Sequence, residues 1–83
     1  MKADVTLVME ASRGDWEALY INGEKVADGH TLYHRDILSA LEGVEVGETR
    51  VESYPIDAMG DNPWGKSMRF PVNLSEIPLG DGE

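Results

Sequence analysis

The chain has 83 residues, a length that supports one hydrophobic core and therefore one domain. Seven Lys and Arg against sixteen Asp and Glu give a net charge of −9, which disfavours direct nucleic-acid binding because phosphate recognition needs a basic surface. The absence of cysteine excludes disulfides and thiolate zinc sites. No apolar run has the length of a membrane span or the form of a signal peptide, so we expect a cytoplasmic protein.

Two signals predict a three-stranded antiparallel meander at the start of the chain. Residues 4–10, DVTLVME, alternate in polarity and predict a strand with Val5, Leu7 and Met9 on one face. Asn22-Gly23 predicts a type I′ turn between two further strands, because this pair readily takes the two positive φ angles that the turn needs.

The turn also predicts how the hairpin pairs. Counting outward from Asn22-Gly23, an uninterrupted register places Leu19 opposite Val26, Ala18 opposite Ala27, and Trp16 opposite Gly29. The two faces of the hairpin would then carry Leu19, Ile21 and Val26 on one side, and Trp16, Ala18, Tyr20, Lys25 and Ala27 on the other.

A short helix is predicted over residues 34–42. Its apolar stripe is Ile37, Leu38 and Leu41, extended by His34, and Gly43 is placed to end it in the left-handed conformation. A helix of fewer than three turns needs a surface to pack on, so we expect it on the Leu19 face of the sheet.

The rest of the chain predicts one more strand and several irregular segments. Residues 49–56 are typical of a strand, in which Pro55 marks an edge or an end. Residues 57–67 are a predicted loop, residues 68–72 a short edge strand, and residues 80–83 a frayed end. The predicted fold is a single α+β domain over residues 1–83, with an antiparallel sheet of three to four strands in the order β-β-β-α-β and one helix packed on one face.

Neither metal binding nor catalysis is predicted. His30 and His34 are four residues apart, but only His34 falls in the predicted helix, so structural roles are favoured over a metal site. Asp57, Asp61 and Asn62 do not follow the spacing of a calcium-binding loop and are typical of turns. No nucleophile motif, phosphate-binding glycine motif or distinguished carboxylate pair is present, so we predict a non-enzymatic protein without catalytic residues, metal or cofactor.

The acidic residues are concentrated after the predicted helix, with six acids against one arginine between residues 42 and 61. Such a segment favours a protein partner with a basic surface, including a nucleic-acid-binding protein. Acidity that only maintains solubility, or that reflects a salt-rich host, is the alternative. The predicted partner-binding residues are the acids Glu42, Glu45, Glu48, Glu52, Asp57 and Asp61 with the aromatic residues Trp64, Trp16 and Tyr20. For the aromatic residues, the alternative is that the C-terminal stretch folds back and covers them.

The arrangement Trp16-x-x-Leu19-Tyr20-x-Asn22-Gly23-x-x-Val26-x-x-Gly29-His30-x-Leu32, followed by Asp36-x-Leu38-x-x-Leu41, resembles small uncharacterised prokaryotic and phage-type proteins. That resemblance covers about a third of the chain and implies no activity or catalytic residue. By its small size, acidity and lack of cysteine, the chain is also similar to phage-encoded inhibitors of the anti-CRISPR type.

Two functions are therefore expected. The first is a small acidic interaction protein that binds a basic partner surface, in its sharpest form a phage-type inhibitor acting as a nucleic-acid decoy. The second is an assembly module that forms a homodimer through the Trp16/Tyr20 sheet face or through a sheet edge. Neither involves direct nucleic-acid or membrane binding.

Overall fold

A computed structural model describes residues 2–11, 16–30, 32–56, 61–66 and 69–78. The elements follow the order β-β-β-α-β, which confirms the predicted α+β class. The strands are β1 (Ala3–Glu10), β2 (Glu17–Ile21), β3 (Glu24–Gly29) and β4 (Val46–Tyr54), with the helix α1 (His34–Ala40) between β3 and β4. A three-residue 3-10 helix, Leu74–Glu76, lies in the C-terminal part of the chain.

The four strands form one mixed sheet in the order β3-β2-β1-β4. β1, β2 and β3 pair antiparallel, as the turn signals predict. β4 instead pairs parallel with β1, because the crossover through α1 returns the chain to the side of β1 in the same direction. β3 and β4 are the two edges of the sheet.

The predicted hairpin turn is confirmed. Asn22 and Gly23 have φ angles of 53° and 84°, the pair of positive values that a type I′ turn requires. Asn22 also fixes the turn to β1, because its side-chain Oδ1 accepts from the Asp4 N–H at 3.0 Å and its own N–H donates to the Asp4 carbonyl at 2.8 Å.

The predicted hairpin register is wrong beyond the second pair. Tyr20 pairs with Lys25 as expected, but the next pair is Leu19 with Ala27, so Val26 is an extra residue that forms a β-bulge. The bulge shifts every later pair by one position, and Gly29 lies opposite Glu17 instead of Trp16. It also places Ala27 on the Leu19 face, whereas the predicted register put Ala27 on the face of Ala18 and Tyr20.

The core lies on one face of the sheet, which we call the core face and define by Val8, Ala18 and Tyr20. A C-terminal segment, residues 69–78, covers this face and buries Phe70 and Ile77 against it. Around this cluster pack the half-buried side chains of Trp16, Tyr54, Trp64 and Leu74.

The opposite face, defined by Val5, Leu7 and Leu19, is covered less evenly. Val5 and Leu19 are buried, whereas α1 lies along β3 with no fully buried residue. Ile37 and Leu41 of the predicted stripe are half-buried, but His34 is exposed and Leu38 is 65% exposed, so the stripe is narrower than predicted. Gly43 has the predicted left-handed conformation, with a φ of 79°.

Two segments after the helix differ from their predictions. β4 begins at Val46, three residues earlier than expected, and ends at Tyr54, directly before Pro55. Residues 69–72 form no strand, and a single bridge from Asn73 to Glu24 adjoins β3. Of the predicted loop, residues 61–66 form a tight turn between Asn62 and Gly65. The predictions for residues 57–60, 67–68 and 80–83 lie outside the described residues.

Candidate functional site

The structure removes Tyr20 from the predicted partner-binding surface. Tyr20 is fully buried on the core face, and its hydroxyl donates a hydrogen bond to the Pro71 carbonyl of the C-terminal segment. Burial raises the pKa of Tyr20 above its usual range, and the carboxylates of Asp28 and Glu76 act in the same direction. The C-terminal segment therefore covers Tyr20, as the alternative interpretation of the aromatic residues predicts. A buried Tyr20 does not take part in self-association through the Trp16/Tyr20 face.

The two tryptophans are half-buried and engaged within the molecule. The Trp16 ring meets His30 edge-on at 4.7 Å between centroids, and the guanidinium of Arg69 lies 5.3 Å from its ring centre. Trp64 lies between Tyr54 and Phe70, with centroid distances of 5.6 and 5.9 Å. Both side chains therefore pack around the core face, and each remains partly exposed.

Lys25 joins the C-terminal segment to β3. Its Nζ donates to Asp28 Oδ2 at 3.1 Å and to the Phe70 carbonyl at 3.1 Å, while its backbone N–H donates to the Val72 carbonyl at 2.8 Å. Residues three apart in a regular strand point to opposite faces, so the bulge at Val26 is what brings Lys25 and Asp28 together. These contacts hold the covering segment against the sheet.

Three of the six predicted acidic residues lie on the link between α1 and β4 or in the first residues of β4. We call residues 42–48 the acidic connection; Glu42 and Glu45 lie on the link, Glu48 lies on β4, and all three are exposed. The backbone of this link is fixed at both ends. The Glu42 N–H donates to the Ser39 carbonyl at 3.2 Å, and the Glu45 carbonyl accepts from Ala3 at 2.7 Å. Lys2 is a neighbouring cation, since its Cβ lies beside Gly47.

The remaining predicted acids are placed differently. Glu52 lies on β4 with its side chain 33% exposed, and its carboxylate is 3.8 Å from the guanidinium of Arg50. Asp61 is exposed at the start of the Asn62–Gly65 turn, and Asp57 lies outside the described residues. The structure thus brings Glu42, Glu45 and Glu48 onto one stretch and assigns Glu52 to an ion pair.

The described residues include a groove but no group of potential metal ligands. Among them, no three His, Cys, Asp or Glu side chains are grouped as a metal ion would need. An open groove of about 650 Å³ lies between α1 and β3. Its two carboxylates are already engaged, Asp28 with Lys25 and Asp36 with the Tyr33 N–H at the start of α1.

No helix in the described part of the chain is both long and apolar enough to cross a membrane.

The fold defines a class, a small α+β domain with a mixed four-stranded sheet. No protein-family model, curated protein or solved structure matches the chain.

Arg50 and Val51 are surface residues that were not among the predicted partner-binding residues. They lie at the centre of the edge strand β4, where Arg50 is 49% and Val51 65% exposed. The signal was available in the run Thr49-Arg50-Val51-Glu52-Ser53, in which opposite charges flank a central valine.

Proposed function

We propose that this protein is a small non-enzymatic interaction protein that docks on a basic surface of a partner protein through the acidic connection. The observation that carries the proposal is the exposure of Glu42, Glu45 and Glu48 on one continuous, backbone-fixed stretch of a chain with a net charge of −9. Surface carboxylates arranged in this way attract a basic partner and speed its association.

Local stability does not explain the charge of Glu42. Glu42 directly follows the C-terminal end of α1, where the helix macrodipole disfavours a negative charge and no basic residue lies in the last turn. By contrast, Asp36 in the first turn accepts from the Tyr33 N–H and stabilises the helix start. A carboxylate at an electrostatically unfavourable place is better accounted for by a contact outside the molecule.

In its sharper form, the proposal is a phage-type inhibitor whose carboxylates occupy sites that phosphates occupy in the partner's nucleic-acid groove. The support for this form is the compositional similarity to anti-CRISPR-type inhibitors together with the exposed acids. It requires that nucleic acid and this protein compete for one surface of the partner.

The test is capture of partners from a host lysate with two variants of equal net charge. The Glu42→Lys/Glu48→Lys variant alters the acidic connection. The Glu24→Lys/Glu76→Lys variant makes the same change in charge at exposed positions on β3 and the C-terminal segment, at the other edge of the sheet. We expect the wild type and the second variant to retain a nucleic-acid-binding protein that the first variant loses, and duplex DNA to displace it.

Equal capture by both variants would show that the acidic connection is not the contact surface. Capture that does not weaken between about 0.05 and about 0.5 M salt would contradict an electrostatic contact, because the Debye length falls several-fold over a range of this kind. Capture that duplex DNA leaves unchanged would refute only the decoy form.

A further inference from the structure

The outer edge of β4 carries main-chain groups that no strand of the described sheet pairs with. The pairing with β1 continues to Glu10 and Tyr54, and the Tyr54 carbonyl accepts from the Ala11 N–H at 3.1 Å. Since residues in a strand alternate in the side to which they direct their N–H and C=O, Thr49, Val51 and Ser53 direct theirs away from β1. Three donors and three acceptors therefore point outward, on the last strand of the sheet order.

The side chains along this edge are complementary to themselves in one antiparallel register. With Val51 opposite Val51 of a second copy, Thr49 lies opposite Ser53, and Arg50 lies opposite Glu52. Val51 and the Thr49–Ser53 pairs would be hydrogen-bonded pairs, which use all the outward groups. Arg50 and Glu52 would form non-hydrogen-bonded pairs, in which side chains approach most closely.

The neighbouring registers are disfavoured by like charges, by the bulge near the start of β4, or by the proline that follows its end. Centring the pairing on Arg50 or on Glu52 places that residue opposite its own like charge. Centring it on Thr49 brings Val51 opposite Gly47, where the β1–β4 register is interrupted by a bulge. Centring it on Ser53 brings Val51 opposite Pro55, which has no N–H.

We propose that two copies of the chain form a two-fold homodimer by antiparallel pairing of their β4 edges about Val51, which joins the two sheets into one of eight strands. The 65% exposed side chain of Val51 is then covered by its equivalent in the second copy. A two-fold interface needs a self-complementary surface, and the Arg50/Glu52 pair supplies one. This inference does not rest on the proposed function, because the paired segment, residues 49–53, contains none of Glu42, Glu45 and Glu48. A paired segment of about five residues makes a small interface, so we expect a weak dimer that forms at high protein concentration.

The test is sedimentation equilibrium of the full chain up to about 1 mM, a range that detects affinities of about −4 kcal/mol. Arg50→Glu places two glutamates opposite each other at each pair, and Glu52→Arg places two arginines there. We expect each variant to weaken dimerisation about tenfold or more, since each converts two attractive pairs into two repulsive ones. Glu52→Arg does so although it reduces the magnitude of the negative net charge, from −9 to −7.

Mixing the two variants provides the decisive control. In an equimolar mixture, the Arg50→Glu chain meets the Glu52→Arg chain with opposite charges at both pairs, so the dimer should return although neither chain forms it alone. Circular dichroism of each variant checks that the fold is retained. A wild type that stays monomeric at about 1 mM would overturn the proposal, and so would a mixture that stays monomeric while the wild type dimerises.

Discussion

Replacing Tyr20 by phenylalanine tests how strongly the C-terminal segment is held against the sheet. The ring stays buried among Val8, Phe70 and Ile77, so the packing is kept and the change removes the hydroxyl alone. It removes the hydrogen bond to the Pro71 carbonyl, which is itself half-buried and loses its partner. Leaving such an acceptor without a partner costs about 1–2 kcal/mol of unfolding free energy. For a domain of this size each kcal/mol lowers Tm by about 4–8 °C.

The same substitution changes how the free energy of unfolding depends on pH in the alkaline range. In the unfolded chain the Tyr20 phenol titrates near 10.0, whereas burial raises the pKa of the folded form above that value. Below this pH the phenol is protonated in both states and its contribution is fully present. Above it the unfolded chain loses the proton first, so wild-type stability falls by up to about 1.4 kcal/mol per pH unit. The Tyr20→Phe variant lacks this loss, and the difference between the two proteins narrows as the pH rises.

Urea unfolding followed by tryptophan fluorescence measures both effects when it is repeated at about pH 7, 9 and 11. Tyr33→Phe is the matched control, because Tyr33 is exposed and the same atom is removed there. We expect the control to stay within about 0.5 kcal/mol of the wild type. The reasoning is refuted if Tyr20→Phe costs no more than Tyr33→Phe, or if its cost is the same at pH 9 and pH 11.

Three further substitutions follow from the backbone and the helix. A Cβ on Gly47 would lie 2.9 Å from Lys2 Cβ, so Gly47→Ala should force β4 away from β1 and cost about 1–3 kcal/mol in urea unfolding. Gly23→Ala meets no atom within 4 Å, and its positive φ alone should cost about 1–2 kcal/mol, whereas Gly29→Ala, with neither problem, should be about neutral or stabilising. Glu42→Gln should raise the unfolding free energy by about 0.3–1 kcal/mol while weakening partner capture, and a loss of stability would contradict the helix-dipole argument.

The first half of the fold could be predicted because its signals are local. Asn22-Gly23 determines a turn, and alternation over residues 4–10 determines a strand, without reference to distant residues. The bulge at Val26 could not be predicted in this way, because its advantage arises only in the folded molecule. There it turns Lys25 and Asp28 to one face, where Lys25 contacts the Phe70 carbonyl.

The candidate site was predictable in composition but not in arrangement. A count of charges was enough to find the acidic connection, since Glu42, Glu45 and Glu48 are close in sequence. The covering of Tyr20 depends on contacts with residues about fifty positions away, which a local pattern does not specify. The parallel pairing of β4 with β1 also depends on residues far apart in the sequence, and it places β4 at the edge of the sheet.

The two proposals predict opposite effects of ionic strength on binding. Attraction between a chain of net charge −9 and a basic partner is screened by salt, so capture through the acidic connection should weaken as salt is added. Two copies of the chain instead repel each other through their whole charge, while exposed ion pairs such as Arg50 with Glu52 contribute only about 0–1 kcal/mol each. Screening therefore relieves more repulsion than the attraction it removes, and the β4 dimer should strengthen over the range in which capture weakens. A dimer that dissociates in added salt would show that the attraction between Arg50 and Glu52 outweighs the repulsion between the two chains, and this estimate of the charge balance would then be wrong.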